Sequence, residues 1–237
     1  MSFKPILLLQ TGDTPEFIRE RCGNFDAMFL AAAPFAETSC RTVHVARGER
    51  PEVPDRYRAA VVTGSHSMVT DAEEWSEWTA VWLREAVTSG LPVFGVCYGH
   101  QLLAHALGGR VGYHPAGKEL GTFDITLTDQ GRRDAFLAGF PECFAANLAH
   151  SQTVLELPEG AVVLAGSAHD PHQIVRYADN AVSVQFHPEF GNREMAAYLA
   201  FEAGPDSESA REAAKAAGAP WPQRLLERFV RDGCRAK

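Results

Sequence analysis

A cysteine in an unusual local setting is the first residue whose type and spacing suggest chemistry. Cys97 follows an apolar run, lies two positions after Gly95 and two before Gly99, and is followed at once by a helical pattern. This strand–turn–helix spacing holds a nucleophile in a strained turn, while the glycines remove side chains that would strike the neighbouring strand and helix. The helix N-terminus favours the thiolate, and we expect the N–H of Tyr98 to face a developing oxyanion. Alone, the pattern also fits a small buried thiol, so the assignment needs a base.

Nine histidines are candidates for that base, and His187 differs from the others in ending the last predicted strand. Ligands gather at the carboxyl ends of the strands of a parallel sheet, so this strand brings His187 beside the Cys97 turn. Pro188 rigidifies the next turn, and Glu189 follows it. The Glu189 carboxylate is close enough to accept a hydrogen bond from the far imidazole nitrogen and to fix the tautomer. The sequence therefore predicts a triad of Cys97, His187 and Glu189.

Other chemistries lack their sequence signatures. No two histidines have the i, i+4 spacing of a zinc-binding helix, and neither His100 with His105 nor His169 with His172 comes with an evident third ligand. Glycine-rich phosphate loops of the P-loop and dinucleotide types are also absent from the sequence. We predict no metal and no cofactor, and we expect that the chain does not activate an acceptor with ATP.

The elements that must position these residues alternate between strands and helices in the first half of the chain. Apolar runs at residues 5–10, 41–46, 59–63 and 91–96 predict buried strands, and the intervening helical patterns predict a parallel sheet. The clearest helix is expected to start after Thr70 or Asp71, either of which can cap it, and to end at Gly90. Its stripe of Trp75, Trp78 and Trp82 is interpreted as core packing.

The second half has shorter strands separated by turns. Strands are predicted at residues 123–128, 144–149, 161–165, 174–177 and 181–186, and the last two form a hairpin. After Phe190 the chain becomes helical, and the last helix has an apolar face that fits either the domain or a partner. The predicted fold class is α/β, with a doubly wound, mostly parallel sheet and C-terminal helices. Residues 1–190 form the main domain, and residues 191–237 form a helical extension packed on it.

Composition sets the class of protein and its surroundings. The chain has 237 residues, 46% of them hydrophobic, and a formal charge of -8, which disfavours a phosphate backbone as ligand. No apolar run is long enough to cross a bilayer, and the N-terminus lacks a cleavage site. Five scattered cysteines with no C-x-x-C pair suit a reducing compartment. We expect a cytoplasmic protein that binds neither nucleic acid nor membrane.

Two motifs together resemble those of a known family. The sequence G-V-C-Y-G-H-Q-L-L-A around Cys97, with A-L-G-G after it, and V-Q-F-H-P-E around His187 closely resemble the class I (triad) glutamine amidotransferases, above all the GMP-synthase-like branch. The resemblance implies a flavodoxin-like sheet with a small added antiparallel sheet. It also implies that Cys97 attacks the side-chain amide of glutamine, that His187 protonates the departing ammonia, and that water then hydrolyses the γ-glutamyl thioester.

The resemblance also implies residues that bind the substrate. Backbone in the loop of residues 63–67, with Gly64 and Ser65, would meet the oxyanion together with Tyr98, although familiar members have G-G-P there. Gln101 matches a position that contacts the substrate glutamine. His150 and Ser151 fall at the H-G-D or H-S-D substrate loop, where Gln152 replaces the usual aspartate. The segment of residues 117–121 also resembles the branch, and a structural or substrate-shaping role is expected for it.

Several functions stay open at the level of sequence. A GMP synthase carries an ATP-pyrophosphatase motif, S-G-G-x-D-S, that this sequence lacks. Either a separate synthase subunit receives the ammonia, or the chain is a free-standing hydrolase of γ-glutamyl conjugates. A cysteine α/β-hydrolase of the dienelactone-hydrolase type would use an acid before the histidine in sequence, for which Asp170 is the candidate. A non-catalytic domain that binds glutamine is the remaining alternative.

Overall fold

The computed structural model describes residues 4–35, 39–204, 207–215 and 218–233. Five parallel strands form one half of the main sheet, in the order β2-β1-β3-β4-β11. This is the strand order of flavodoxin-like folds, in which ligands bind at the carboxyl ends of the strands. The strands are β1 (Ile6–Gln10), β2 (Cys40–His44), β3 (Ala59–Val62), β4 (Val93–Val96) and β11 (Ala181–Val184).

Antiparallel strands extend the same sheet beyond β11, in the order β10-β9-β6-β7. They are β6 (Glu119–Leu127), β7 (Cys143–His150), β9 (Val162–Gly166) and β10 (Ile174–Ala178). A separate two-stranded antiparallel sheet pairs β5 (Arg110–Tyr113) with β8 (Gln152–Glu156). The predicted combination of a mostly parallel sheet with a small antiparallel sheet is confirmed, and so is the hairpin of β10 and β11.

Helices cover both faces of the sheet. They are α1 (Glu16–Cys22), α2 (Phe25–Ala32), α3 (Glu74–Thr88), α4 (Tyr98–Ala106), α5 (Asp129–Arg133), α6 (Asn192–Ala203), α7 (Glu208–Lys215) and α8 (Pro220–Asp232). Alternate residues of the central strands point to opposite sides, so Leu7 packs with α3 and α4 while Leu8 packs with α2 and α8. No helix in these described ranges combines the length and apolar character needed to cross a bilayer.

The start of α3 differs from the prediction. Thr70 and Asp71 lie in a separate 3-10 turn, and the helix begins at Glu74, after Ala72 has adopted a left-handed conformation with φ of 49°. The Thr70 hydroxyl does not cap the helix, because it accepts a hydrogen bond from the Gln152 amide nitrogen at 2.5 Å. The tryptophan stripe does pack on the core, with Trp82 buried and Trp75 and Trp78 partly buried.

Two strands were not predicted, and one is shorter than expected. β5 and β8 are short and pair only with each other, so their backbone hydrogen bonds connect segments that are far apart in sequence. β11 ends at Val184 rather than at Phe186, and His187 lies three residues beyond it. The N–H of His187 instead donates to the carbonyl oxygen of Asn147 in β7 at 2.8 Å. A contact with a distant strand therefore sets the position of His187.

The C-terminal helices lie against the sheet rather than apart from it. The apolar face of α8 is fully buried in the same core cluster as β1, β3 and β4. The ring of Phe229 stacks on that of Phe94 in β4 with a centroid separation of 5.2 Å. Helix α6 packs on α1, where Met195 and Tyr198 join the cluster that contains Ile18 and Phe25. Helix α8 therefore buries its apolar face against the strands of the sheet.

Candidate active site

Cys97 occupies the strained turn that its sequence predicts. It joins β4 to α4 with φ of 50° and ψ of -101°, and Ala72 is the other non-glycine residue with positive φ in the described part of the chain. Such a conformation is costly for a residue with a side chain and persists where the surroundings impose it. The N–H of Cys97 donates to the carbonyl oxygen of Val184 at 2.9 Å, so the neighbouring strand β11 fixes the turn.

The two glycines around Cys97 are required by close packing. A Cβ atom on Gly95 would lie 2.5 Å from the carbonyl oxygen of Gly99, and one on Gly99 would lie 2.5 Å from the carbonyl oxygen of Val62. Both obstacles are backbone atoms, which have little freedom to move. The turn around Cys97 between β4 and α4, the nucleophile elbow, therefore tolerates no side chain at either glycine position, as the sequence predicts.

His187 and Glu189 meet beside Cys97. The Nδ1 atom of His187 lies 2.8 Å from Oε1 of Glu189, and both side chains are buried. The imidazole stacks on the ring of Phe190 at a centroid separation of 4.0 Å and an interplanar angle of 6°. A Cβ on Gly64 would lie 2.9 Å from Cε1 of His187 and 3.7 Å from Cβ of Cys97, so the two side chains border one small space. The structure thus brings the three predicted triad residues together.

The charges around His187 favour its protonated form. Burial opposes the imidazolium, but the Glu189 carboxylate and the Cys97 sulfur outweigh it and raise the pKa of His187 to about 10. This arrangement suits a thiolate–imidazolium pair.

The loop after β3 lies against the triad with its backbone fixed from behind. The carbonyl oxygen of Gly64 accepts hydrogen bonds from the hydroxyls of Thr11 and Thr63, each at 2.9 Å, and both threonines are fully buried. A trans peptide directs its C=O and the next N–H to opposite sides, and the structure contains no cis peptide among its described residues. The N–H of Ser65 consequently points away from the two threonines, and Ser65 lines the cleft.

The predicted substrate-binding residues form the floor of this cleft. Tyr98, Gln101, His150, Ser151 and Gln152 all line it together with Cys97 and His187. The amide nitrogen of Gln101 donates to the carbonyl oxygen of Gln152 at 2.6 Å and to Oε1 of Gln185 at 3.0 Å. Gln101 therefore ties the first turns of α4 to the turn between β7 and β8. The Oε1 atom of Gln152 is buried and has no hydrogen-bond partner among the described residues.

A buried ion pair beneath the floor was not predicted from the sequence. Oε2 of Glu119 lies 2.8 Å from Nε2 of His150, and each side chain is 1% exposed. Nδ1 of His150 lies 3.0 Å from the carbonyl oxygen of Gln152, so both ring nitrogens lie within hydrogen-bonding distance of oxygen atoms. Glu119 also accepts from Gln173 and Ser167. The signal for Glu119 in the sequence is the segment of residues 117–121, for which the resemblance implies a structural or substrate-shaping role.

A wall of the cleft comes from α6, which lies in the predicted C-terminal extension. Tyr198 stacks on His66 at a centroid separation of 5.8 Å, and its hydroxyl lies 3.3 Å from Nε2 of that histidine. Lys118 forms an ion pair with Glu202 of α6 at 2.6 Å, and both residues line the cleft. The cavity volume of the cleft is about 80 Å³. Burial, aided by the nearby charges of His187 and Lys118, lowers the pKa of His66 to about 4.

Asp170, the acid of the alternative hydrolase, serves a different part of the molecule. Its carboxylate contacts the hydroxyl of Thr153 and accepts from the backbone N–H of His172. His187 has Glu189 as its partner instead. Across the described ranges, no three His, Cys, Asp or Glu side chains converge into a group that could hold a metal ion. The four described cysteines are free, and Cys234 lies outside the described residues.

A doubly wound sheet with a cysteine elbow at the end of one strand and a histidine–glutamate pair beyond its neighbour is the architecture of the class-I glutaminases. The sequence profile of the family glutamine amidotransferase class-I matches residues 54–203. The chain belongs to this family, and the resemblance noted from its motifs is confirmed.

Relatives from different branches of the family are similar to the chain. Gamma-glutamyl peptidase 4 of Arabidopsis thaliana is 31% identical over 81% of this chain and 77% of its own length. A GMP synthase (glutamine-hydrolyzing) of Thermomicrobium roseum is 36% identical over 50% of this chain and 21% of its own. The crystal structure of a glutamine amidotransferase from Thermotoga maritima superimposes with a TM-score of 0.73 at 21% identity, covering 97% of both chains.

Proposed function

We propose that the protein is a cysteine hydrolase of the γ-glutamyl amide bond, acting on the side-chain amide of glutamine or on its N-substituted forms. The observation that carries this proposal is the His187–Glu189 pair, joined at 2.8 Å and buried beside a cysteine held at φ of 50°. Membership of the glutamine amidotransferases gives the substrate class. The alternative is a non-catalytic domain that binds glutamine without cleaving it. In such a domain the strained cysteine and the charged groups beside it would have no role.

The reaction divides into two half-reactions. The Cys97 thiolate attacks the amide carbon, and His187 gives its proton to the departing amine or ammonia as the C–N bond breaks. A γ-glutamyl thioester remains on Cys97. Water then adds to the thioester carbonyl, His187 accepts a proton from that water, and glutamate leaves as the thiolate is restored. Glu189 keeps the imidazole in one orientation throughout.

Two backbone amides would stabilise the oxyanion. The N–H of Tyr98 lies in the first turn of α4, where amides have no acceptor within the helix. The N–H of Ser65 is the second donor, because the bonds from Thr11 and Thr63 to the Gly64 carbonyl turn this amide toward the cleft. A G-G-P sequence is therefore not required for the role. Gln101, His150 and Ser151 would hold the amino-acid end of the glutamyl group, with Glu119 fixing His150.

Substituted γ-glutamyl amides are the second candidate substrates. The match to the γ-glutamyl peptidase covers most of both chains, whereas the match to the GMP synthase covers a fifth of that enzyme. An alternative outcome is a subunit that passes ammonia to a separate synthase. Cytoplasmic residence fits either case, since Cys97 must remain a thiol to react.

We also propose that residues 1–190 form one domain and that the extension after residue 190 packs on it. The burial of the apolar face of α8 and the packing of α6 on α1 support this arrangement. The cleft wall formed by Tyr198 and Glu202 gives the extension a part in the proposed site.

The test is glutamate release by the purified protein from glutamine and from a panel of γ-glutamyl peptides, with Cys97→Ser as the control. We expect turnover that the substitution abolishes, and retained activity in the variant would overturn the nucleophile. His187→Asn is expected to lower kcat by about 100-fold or more. Diazo-oxo-norleucine should label Cys97, and a label on another cysteine would contradict the mechanism. Labelling of Cys97 with weak turnover of every compound would indicate a synthase subunit.

A further inference from the structure

An ion pair crosses the mouth of the cleft and has no role in the proposed chemistry. Lys118, just before β6, and Glu202, on α6, join at 2.6 Å, and each side chain is 38% exposed. Both line the cleft that contains Cys97. Ion pairs with this much solvent contact contribute little to stability, so a ligand of the right charge displaces one partner at small cost. Lys118 can therefore exchange its partner Glu202 for an anionic group on the substrate.

The other basic side chains that line the cleft are either paired with a carboxylate or neutral. Among the described residues that line it, Lys118 is the sole lysine or arginine and Glu202 the sole carboxylate. His150 is paired with Glu119, and His187 with Glu189. His66, next to Lys118, is neutral at physiological pH because its pKa is about 4. An anionic group that enters the cleft thus meets one cation whose partner is exposed enough to be displaced, the Lys118 ammonium.

We propose that Lys118 binds a carboxylate on the amine that leaves, so that the preferred substrates are γ-glutamyl amides of amino acids or peptides rather than glutamine. Glu202 competes with that carboxylate for Lys118 in the free protein. This inference rests on the proposed function. The glutamyl group itself lies on the buried floor of Gln101 and His150, and the part of the substrate that extends toward the rim is the leaving amine. Glutamine releases ammonia and has nothing to place there.

Two ligands of nearly equal size separate this role from general binding. γ-Glutamylglycine carries the carboxylate, and γ-glutamylglycinamide replaces it with a neutral amide. In a Cys97→Ala background, calorimetry should give tighter binding of γ-glutamylglycine, by about tenfold, the size of one charge-assisted contact. Adding Lys118→Met should bring the ratio of the two dissociation constants close to one. Adding Glu202→Gln should instead increase the preference, because the competing carboxylate is gone.

Opposite effects of Lys118→Met and Glu202→Gln on the same ratio are not expected from a structural role, since both variants break the same ion pair. Lys215→Met, which removes an exposed lysine on α7, is the matched control and should leave the ratio unchanged. Equal weakening of both ligands by Lys118→Met would mean that the lysine binds the glutamyl group and would overturn the proposal. An unchanged ratio would overturn it as well.

Turnover is measured separately in the Cys97-containing protein. If neither these compounds nor glutamine nor any other γ-glutamyl peptide is hydrolysed, the proposed function fails, while the binding ratio still decides whether Lys118 recognises the carboxylate. If both are hydrolysed, kcat/KM should follow the same order as binding, with the effect of Lys118→Met mainly in KM.

Discussion

The protonation of His187 depends on a few neighbouring atoms rather than on its burial. Burial alone would favour the neutral ring, and its partners reverse that preference. Phe190 covers one face of the imidazole, so the ring is held in the plane that lets Nδ1 reach Glu189. The second oxygen of Glu189, Oε2, is buried with no hydrogen-bond partner among the described residues. The carboxylate therefore directs its charge mainly at His187.

Removal of the Glu189 charge should lower the pKa of His187, because burial is then opposed by fewer partners. Glu189→Gln is expected to reduce kcat by about 100-fold. In the native protein, the stability contributed by the protonated ring is fully present below the ordinary pKa of 6.5 and is lost as pH rises through about 10. In the variant it is lost at lower pH.

The measurement is the free energy of unfolding of both proteins between pH 6 and pH 10.5, together with an NMR titration of the ring. The gap between the native protein and Glu189→Gln should be largest at pH 6 and should narrow toward pH 10.5. A gap independent of pH would show that Glu189 does not control the charge of His187.

Residues were predictable from sequence where a short motif contains the whole reason for their role. Cys97, with its two glycines, and the His187–Glu189 pair are local patterns, and the structure brings them together. Glu119 was missed because its partner His150 is 31 residues away and meets it only through the pairing of β6 with β7. Tyr198 and Glu202 were missed because α6 looks like an ordinary helix until it packs over the cleft.

At the scale of elements, contacts between backbone segments position the site as much as contacts between side chains do. Gly99, in the first turn of α4, approaches the carbonyl of Val62 in β3, and its N–H donates to the carbonyl oxygen of Thr63 at 3.1 Å. The elbow and the loop after β3 therefore share one contact. A change at either backbone should move both the predicted nucleophile and the predicted oxyanion loop.

Gly99→Ala should destabilise the protein by about 1–3 kcal/mol, since the new methyl group would collide with backbone atoms at 2.5 Å. Chemical denaturation measures this cost. Gly218→Ala is the control, because a Cβ there meets no atom of the described residues within 4 Å, chain neighbours aside, and its φ lies outside the left-handed region. Equal stability of the two variants would contradict the close contact.

Thr11→Val should lower kcat by about tenfold with little change in KM, because the Gly64 carbonyl loses one of its two hydroxyl contacts and the Ser65 amide is held less firmly. Steady-state kinetics on a hydrolysed γ-glutamyl compound gives the split between kcat and KM. Thr88→Val, on the exposed side of α3, should leave both constants as they are. A rise in KM alone would assign Thr11 to substrate binding instead.

Elements were predictable where the sequence pattern reflects their own burial. The central strands are apolar on both faces, so four of them stand out as runs of branched residues, and the predicted order of strands and helices follows. β5 and β8 lack this signal because polar residues interrupt both short strands, which pair only with each other. The prediction that Thr70 caps α3 was wrong, because the Thr70 hydroxyl accepts a hydrogen bond from Gln152, 82 residues away in sequence.

At the scale of the whole molecule, one core links the C-terminal helix to the elbow. Phe229 of α8 stacks on Phe94 of β4, three residues before Cys97 in sequence, and both belong to the cluster that includes Val96 and Cys97 itself. The last helix thus supports the strand from which the elbow departs.

Phe229→Ala should cost about 3–5 kcal/mol of unfolding free energy, the usual effect of deleting a fully buried aromatic ring. Denaturant unfolding measures the loss. Gln223→Ala, on the exposed side of the same helix, should cost less than about 0.5 kcal/mol. If both variants had the same stability, α8 would not be part of the core.

The separation between the triad and the walls of the cleft has an evolutionary consequence. The three triad residues follow two adjacent strands, whereas His66, Lys118 and Glu202 belong to three other segments. Mutations in those segments leave the reacting atoms in place, so descendants of one ancestor can exchange the amine they release without rebuilding the bond-breaking apparatus. A randomised library restricted to these rim positions would explore new specificities while each member inherits the same folded scaffold.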